Sequence, residues 1–185
     1  MGFFELFTIA VALAMDAFAV SVCKGLSTDK LKMRHYFLIG LWFGGFQAAM
    51  PALGYLLGST FESYITAIDH WIAFILLALI GANMIREALG GDDESVAPSF
   101  AVSAMLPLAI ATSIDALAVG ITFALLPDVN IFVAVGSIGV TTFLISAAGL
   151  RIGNIFGAKF KKPAEIVGGA ILILMGVKIL IEHLM

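Results

Sequence analysis

Along this chain, hydrophobic and polar positions separate into six long apolar runs divided by short polar stretches. The runs cover roughly 4–23, 37–58, 71–89, 102–126, 131–150 and 165–184. Each approaches or exceeds the ~18–20 apolar residues that carry a helix across a bilayer. They are continuous, whereas a membrane β-barrel needs alternating segments of ~10 residues, so the pattern predicts helices. The stretch 90–100, GGDDESVAPSF, contains Gly90, Gly91 and Pro98 and reads as a surface loop. Its acids Asp92, Asp93 and Glu94 are expected to be solvated.

The runs repeat. At a shift of 99 positions Ala10, Ala12, Asp16, Ala17, Ala19 and Val20 meet Ala109, Ala111, Asp115, Ala116, Ala118 and Val119. From the second run onward the shift is 95, so that Phe37, Gly44, Ala52, Gly54, Gly58 and Phe61 meet Phe132, Gly139, Ala147, Gly149, Gly153 and Phe156. Gly81 and Glu87 likewise meet Gly176 and Glu182. Each half holds three runs, an odd number, so the second half must lie upside down relative to the first. The expectation is an all-α integral membrane protein of six transmembrane helices, built as two inverted three-helix repeats. Repeat one is 1–90, the linker 90–100 and repeat two 101–185, within a single transmembrane domain. Such repeats place substrate near the bilayer midplane and provide two related states for alternating access.

Composition agrees with this picture. Of 185 residues 61% are hydrophobic and 12% charged, and the mean hydropathy is +1.08. The net charge of −3 matters less than where the charges lie. Nine of the ten basic residues fall in loops one, three and five: Lys24, Lys30, Lys32, Arg34, Arg86, Arg151, Lys159, Lys161 and Lys162. Lys178 is the exception. The positive-inside rule places those loops, and the linker, in the cytoplasm and both termini outside. No positive charge precedes the first apolar run, so that run is expected to stay as a membrane helix and not to be cleaved as a signal peptide. The single cysteine, Cys23, excludes an internal disulfide and reads as packing. The expected surroundings are a lipid bilayer, with no nucleic-acid partner.

Candidate chemistry centres on Asp16 and Asp115. A charged side chain inside hydrocarbon costs several kcal/mol and by default marks a functional site. Small residues surround both, which lets helices approach closely. Two neighbouring carboxylates could not easily both ionise without a cation, so proton and metal would compete for them. Gln47 lies mid-run, four residues before Pro51, whose missing N–H frees the Gln47 carbonyl beside its own amide oxygen. Thr142 is its counterpart, beside Thr141 and Ser146. Thr112 shares the Asp115 face. Asn83 and Glu87 share another face, with Glu87 near the cytoplasmic end as an entry-side ligand or an interfacial residue. Met15 adjoins Asp16 and could add a softer thioether ligand. Lys178 is expected to snorkel or to pair with Glu182, His183 to sit at the surface, and His70 beside Trp71 to anchor at the interface. Carboxylate, amide and hydroxyl oxygens suit manganese, magnesium or calcium better than copper or zinc. Spacing alone names a divalent-cation site, not one metal.

The stretches AMDAFAVSVCKG at 14–25, FGGFQAAMPALGYLLG at 43–58, HWIAFILL at 70–77, GANMIREAL at 81–89, ATSIDALAVG at 111–120 and PAEIVGGAILILMGVKIL at 163–180 carry a resemblance. Over essentially its whole length the chain resembles the bacterial MntP-type manganese efflux pump family. The resemblance implies six helices in the inner membrane and export of Mn2+, as transported substrate with no bound cofactor. It points to Asp16 and Asp115 as essential and to Gln47 and Glu87 as supporting positions; glutamate also fits the family at position 47. No Walker motif is present, so transport would be secondary, and protons are the natural coupling ion. Export of another divalent cation or of a small amino acid is the alternative. An intramembrane aspartyl protease would also need two aspartates, but Ala-Met-Asp-Ala and Ser-Ile-Asp-Ala resemble neither the Tyr-Asp nor the Gly-x-Gly-Asp motif of those enzymes.

Overall fold

The computed structural model describes residues 3–28, 30–58, 100–126 and 129–157 continuously, together with helical positions within 71–89 and 163–181. Five helices are bounded: α1 (Phe3–Leu26), α2 (Met33–Leu57), α3 (Val102–Ala111), α4 (Ile114–Leu125) and α5 (Ile131–Gly157). Three of them, α1, α2 and α5, are each long and apolar enough to cross a membrane. The pair α3 and α4 would make a fourth crossing if taken as one bent span. The chain is a multi-pass membrane protein, and among the described residues the structure is helical throughout. The third and sixth predicted runs lie largely outside the described residues, although Gly81 and Gly169 meet closely enough that a methyl group on either would strike the other's carbonyl.

Local chemistry sets the helix ends. The last carbonyls of α1 are taken by hydroxyls: Ser27 Oγ donates to Cys23 O (3.1 Å) and Thr28 Oγ1 to Lys24 O (2.6 Å). Lys24 in that last turn also favours the negative end of the helix dipole. Gly58 ends α2 with φ +53°, a conformation that side chains resist, and returns its N–H to Gly54 O. Asn130 caps α5, its Oδ1 accepting from the N–H groups of Phe132 (3.1 Å) and Val133 (3.3 Å). The helix α5 runs on past the expected end at 150 to Gly157, carrying Arg151 on an exposed face.

The predicted span 102–126 differs from the expectation of one helix. It breaks at Thr112 and Ser113, with a bend of 46°. Pro107 is tolerated inside α3. The break falls instead where two adjacent hydroxyls compete for carbonyls one turn back. Thr112 Oγ1 donates to Leu108 O (2.9 Å) and Ser113 Oγ to Ala109 O (2.6 Å), while the Ser113 N–H shortens its reach to Ile110 O (3.1 Å). Such back-bonding offers the chain an alternative to the helical ladder.

Packing follows the small residues. The helix α5 lies against α1 and α2, and α2 also lies against α4. A methyl group at Gly149 would sit 2.9 Å from the Phe18 carbonyl, and one at Gly54 would strike the Leu117 carbonyl. Between α2 and α5, Gly44 and Gly139 face each other's carbonyls. Helix backbones this close gain dispersion contacts that lipid cannot supply. Outward faces carry Phe7, Leu41, Leu53, Val140 and Leu144, all exposed.

Buried apolar residues form two clusters. The first joins Ala17, Val20 and Cys23 of α1 to Ile39 and Phe43 of α2, Met105, Leu108, Ala109 and Ala111 of α3, and Leu150 of α5. The second joins Leu6, Ala10 and Leu13 of α1 to Ala116 and Phe123 of α4 and Ala134 and Ile138 of α5, with Met50 and Tyr55 packed against it. Along α1 and α5 the chain passes from the second cluster to the first. Along α2, and along α3 into α4, it passes from the first to the second. The first cluster lies toward the basic end, where Lys24, Lys32, Arg34 and Arg151 are found. There His35 stacks on Phe100 with ring centroids 4.6 Å apart. Lys24 Nζ lies 5.9 Å from the centre of the same ring, and Asn154 donates to Thr28 O.

Candidate metal site

Between the two apolar clusters, each helical path changes character at the same level. On α1, Asp16 falls between Leu13 and Ala17; on α2, Gln47 falls between Phe43 and Met50. On the broken span, Thr112, Ser113 and Asp115 fall between Ala111 and Ala116; on α5, Thr142 and Ser146 fall between Ile138 and Leu150. The result is a polar layer closed on both sides by hydrocarbon.

Asp115 occupies the first turn of α4. Its Oδ1 accepts from the Ala116 N–H at 2.8 Å, and the positive end of α4 stabilises a negative charge there. The neighbouring end of α3 presents the opposite pole, the carbonyl end of a helix, to the same break. Half-helices whose ends meet at mid-membrane are a recurring way to hold anions and cations together. Asp115 feels the charge of Asp16 and interacts with the side chain of Gln47. Gln47 is fully buried and links the layer to α1, donating from Nε2 to the Leu13 carbonyl at 3.0 Å. Its Oε1 has no hydrogen-bond partner among the described residues. Asp16 is partly buried on an unbroken helix.

The structure therefore brings together three of the residues singled out from sequence, Asp16, Asp115 and Gln47, while Thr112 lies at the break with its hydroxyl turned to Leu108 O. Met15 does not join them. At 44% exposure it lies on the outer surface of α1, because its neighbour's direction is a full 100° around the helix. Asn83 and Glu87 lie outside the described residues, as do His70, Glu182 and His183. Cys23 is buried in the first cluster, as its packing role requires.

Three further hydroxyl residues belong to the layer. Ser113 forms the break. Thr142 and Ser146 are buried, with neither hydroxyl hydrogen-bonded among the described residues. The sequence names Thr142 and Ser146 as the repeat counterpart of Gln47 and its neighbour, whereas it does not anticipate the break at Thr112 and Ser113.

The sequence contains no Lys, Arg or His within 3–23, 36–58 or 100–150, so these spans provide no cation for the two carboxylates. Among the described residues no group of three or more His, Cys, Asp or Glu side chains forms a metal cage. What the layer offers is two carboxylates and several neutral oxygens, the ligand chemistry of a hard divalent ion.

Comparison with known proteins bears on which ion. A family model described as "Putative manganese efflux pump" matches residues 30–180. The chain belongs to the manganese efflux pump family. Relatives named "Putative manganese efflux pump MntP" match it over nearly their whole lengths. The protein from Desulfitobacterium hafniense is 61% identical over 184 residues, covering 100% of this chain and 97% of the relative. That from Acetivibrio thermocellus is 57% identical, covering 100% and 93%, and that from Campylobacter jejuni is 56% identical, covering 100% and 98%. No solved structure matches the chain. Membership places this protein among transporters and not among enzymes, which removes the aspartyl-protease alternative.

Proposed function

We propose that this protein exports Mn2+ from the cytoplasm across the inner membrane by alternating access, exchanging it for protons at Asp16 and Asp115. The single observation that carries this reading is the polar layer: Asp16, Asp115, Gln47 and buried hydroxyls held at one level between two apolar clusters. A transported divalent ion would balance the two negative charges. The family supplies its identity, since the relatives carry manganese in their names.

The mechanism follows from the two clusters. The first, at the basic end, closes the cytoplasmic path, and the second closes the outer path. When the first opens, Mn2+ sheds water and binds the carboxylates, with Gln47 and Thr112 oxygens beside them. When the second opens instead, protons from outside take the carboxylates and the ion leaves. Glu87 and Asn83 serve the cytoplasmic approach. Both termini face outward.

Supporting this, the clusters exchange under the sequence repeat. At the shift of 99, Leu6, Ile9 and Ala10 of the second cluster correspond to Met105, Leu108 and Ala109 of the first, while Ala17 and Val20 of the first correspond to Ala116 and Val119 of the second. At the shift of 95, Tyr36, Ile39 and Phe43 correspond to Ile131, Ala134 and Ile138. The contact of Gly149 with the Phe18 carbonyl becomes that of Gly54 with the Leu117 carbonyl. Two inverted three-helix repeats, six spans in all, account for every one of these exchanges. Inversion is what makes two gates interconvertible.

The test is metal accumulation in manganese-loaded cells that express the protein or lack it, with Asp16→Ala and Asp115→Ala alongside. Expected are lower cellular manganese with the native chain, and no protection from either variant despite normal membrane insertion. Protection by either variant would overturn the site. A metal panel in the same assay decides the second reading, export of another divalent cation, which the hard-oxygen ligand set favours. Cysteine-accessibility mapping of the loops checks the six spans and their orientation.

A further inference from the structure

We infer that Thr142 and Ser146 of α5 supply neutral oxygen ligands to the transported cation, forming a hydroxyl wall between the two carboxylates. This rests on the proposed transport site and adds residues that the aspartates do not imply.

The argument starts from what hydroxyls do in a helix with no water nearby. They donate to a carbonyl one turn back. The other fully buried hydroxyls follow that rule. Ser21 Oγ donates to Ala17 O at 2.6 Å, Thr112 Oγ1 to Leu108 O at 2.9 Å and Ser113 Oγ to Ala109 O at 2.6 Å. Thr142 and Ser146 break it: both are 0% exposed, and neither hydroxyl has a hydrogen-bond partner among the described residues. An unmatched buried polar atom costs free energy, so such atoms are rare and call for a partner. Two of them one turn apart on one helix face share one partner outside the protein.

Position identifies that partner. Thr142 stands at the repeat position of Gln47, whose own Oε1 is the third unmatched oxygen. Gln47 interacts with Asp115, and the repeat therefore pairs Thr142 with Asp16. Ser146 stands at the repeat position of Pro51, one turn along. All three oxygens lie in the polar layer between the apolar clusters. Hydroxyl and amide oxygens are hard, uncharged ligands, and Mn2+ takes them together with carboxylates. Two carboxylates neutralise a divalent ion, and the neutral oxygens replace water that it sheds, without adding charge that would hold it too tightly to release.

Thr142→Val and Ser146→Ala delete the oxygens while nearly preserving shape. Purified protein is melted with and without Mn2+, and Mn2+ uptake into inverted proteoliposomes gives KM and the maximal rate. In the absence of metal both variants are expected to melt at or above the native temperature, because no internal hydrogen bond is lost. Their stabilisation by Mn2+ should shrink, and KM should rise by at least the ~10-fold seen when even outer-shell metal partners are removed. Thr142→Ser should restore both. A lower melting temperature without metal would mean that the hydroxyls bond within the protein, and would overturn the inference, as would an unchanged KM. Asp115→Asn serves as the reference. If it transports normally, the proposed site itself fails; if it is inactive while the hydroxyl variants keep the native KM, only this inference fails.

Discussion

The two aspartate regions are matched in sequence and unlike in structure. Asp16 lies on α1, a helix that continues from Phe3 to Leu26 without a break. Asp115 lies just past a 46° break, at the start of α4. Among the residues that differ, the pair two and three positions before each carboxylate changes from apolar to hydroxyl-bearing. In the first region they are Leu13 and Ala14; in the second they are Thr112 and Ser113. Leu13 packs into an apolar cluster, whereas the hydroxyls of Thr112 and Ser113 seize carbonyls of the preceding turn. One carboxylate is thus carried by a rigid rod and the other by the N-terminus of a half-helix.

The comparison breaks most severely if either carboxylate is neutralised. Asp16→Asn and Asp115→Asn should each abolish manganese tolerance, a loss well beyond 10²-fold in transport if both carboxylates bind the ion, as read from uptake of Mn2+ in vesicles. Equal tolerance in either variant would separate the two regions functionally.

Next in size are the close approaches that hold both regions. Gly54→Ala would drive a methyl group into the Leu117 carbonyl of α4, and Gly149→Ala one toward the Phe18 carbonyl of α1. Overpacking of this kind costs about 1–3 kcal/mol. Gly54→Ala should destabilise more, because its contact is the tighter, and the measurement is thermal unfolding in detergent. Gly45→Ala is the control, since nothing lies within 4 Å of that added methyl, and its melting temperature should stay unchanged.

A sharper test exchanges the differing pair. Thr112→Val with Ser113→Ala removes the hydroxyls that compete with the backbone, and should lower the transport rate about tenfold by straightening the span, an effect of about 1.4 kcal/mol. The reverse graft, Leu13→Thr with Ala14→Ser, should cost stability of about 2–3 kcal/mol, since it removes a buried leucine from the second cluster. Spin-label distances across residues 112–113 in the first variant should show the bend reduced; an unchanged bend would return the cause to Pro107 or to packing.

The last comparison concerns Gln47, where only the conservative change is expected to be small. Gln47→Glu keeps an oxygen at the same place, and should retain transport within a few-fold, while Gln47→Leu should lose it. The contrast measures how far the link from Leu13 of α1 to Asp115 of α4 depends on an amide.

Much of the architecture was readable beforehand for a plain physical reason. Lipid requires long apolar runs, and it penalises charge so strongly that Asp16 and Asp115 stand out in any reading. Gln47 stood out for the same reason, with Pro51 as a second mark. The break at Thr112 was not readable, because hydroxyls cost little in a helix and most of them, like Ser21, leave it intact. Met15 was included because it adjoins Asp16 in sequence, yet adjacent helical residues point in different directions, and the packing turned it outward. Asn130, a routine N-cap, is legible in hindsight from its place before an apolar run.

The order of residues by itself determined that segments such as α1, α2 and α5 are apolar enough to cross a membrane and which side chains would be expensive there without a partner, since both depend on the transfer of single residues from water to hydrocarbon. Only the tertiary structure decided that the apolar residues divide into two clusters with polar residues between them, and that the hydroxyls of Thr142 and Ser146 are buried without a hydrogen bond among the described residues. Those outcomes depend on how helices meet. Such contacts arise from several distant segments at once, and no stretch of sequence encodes them alone.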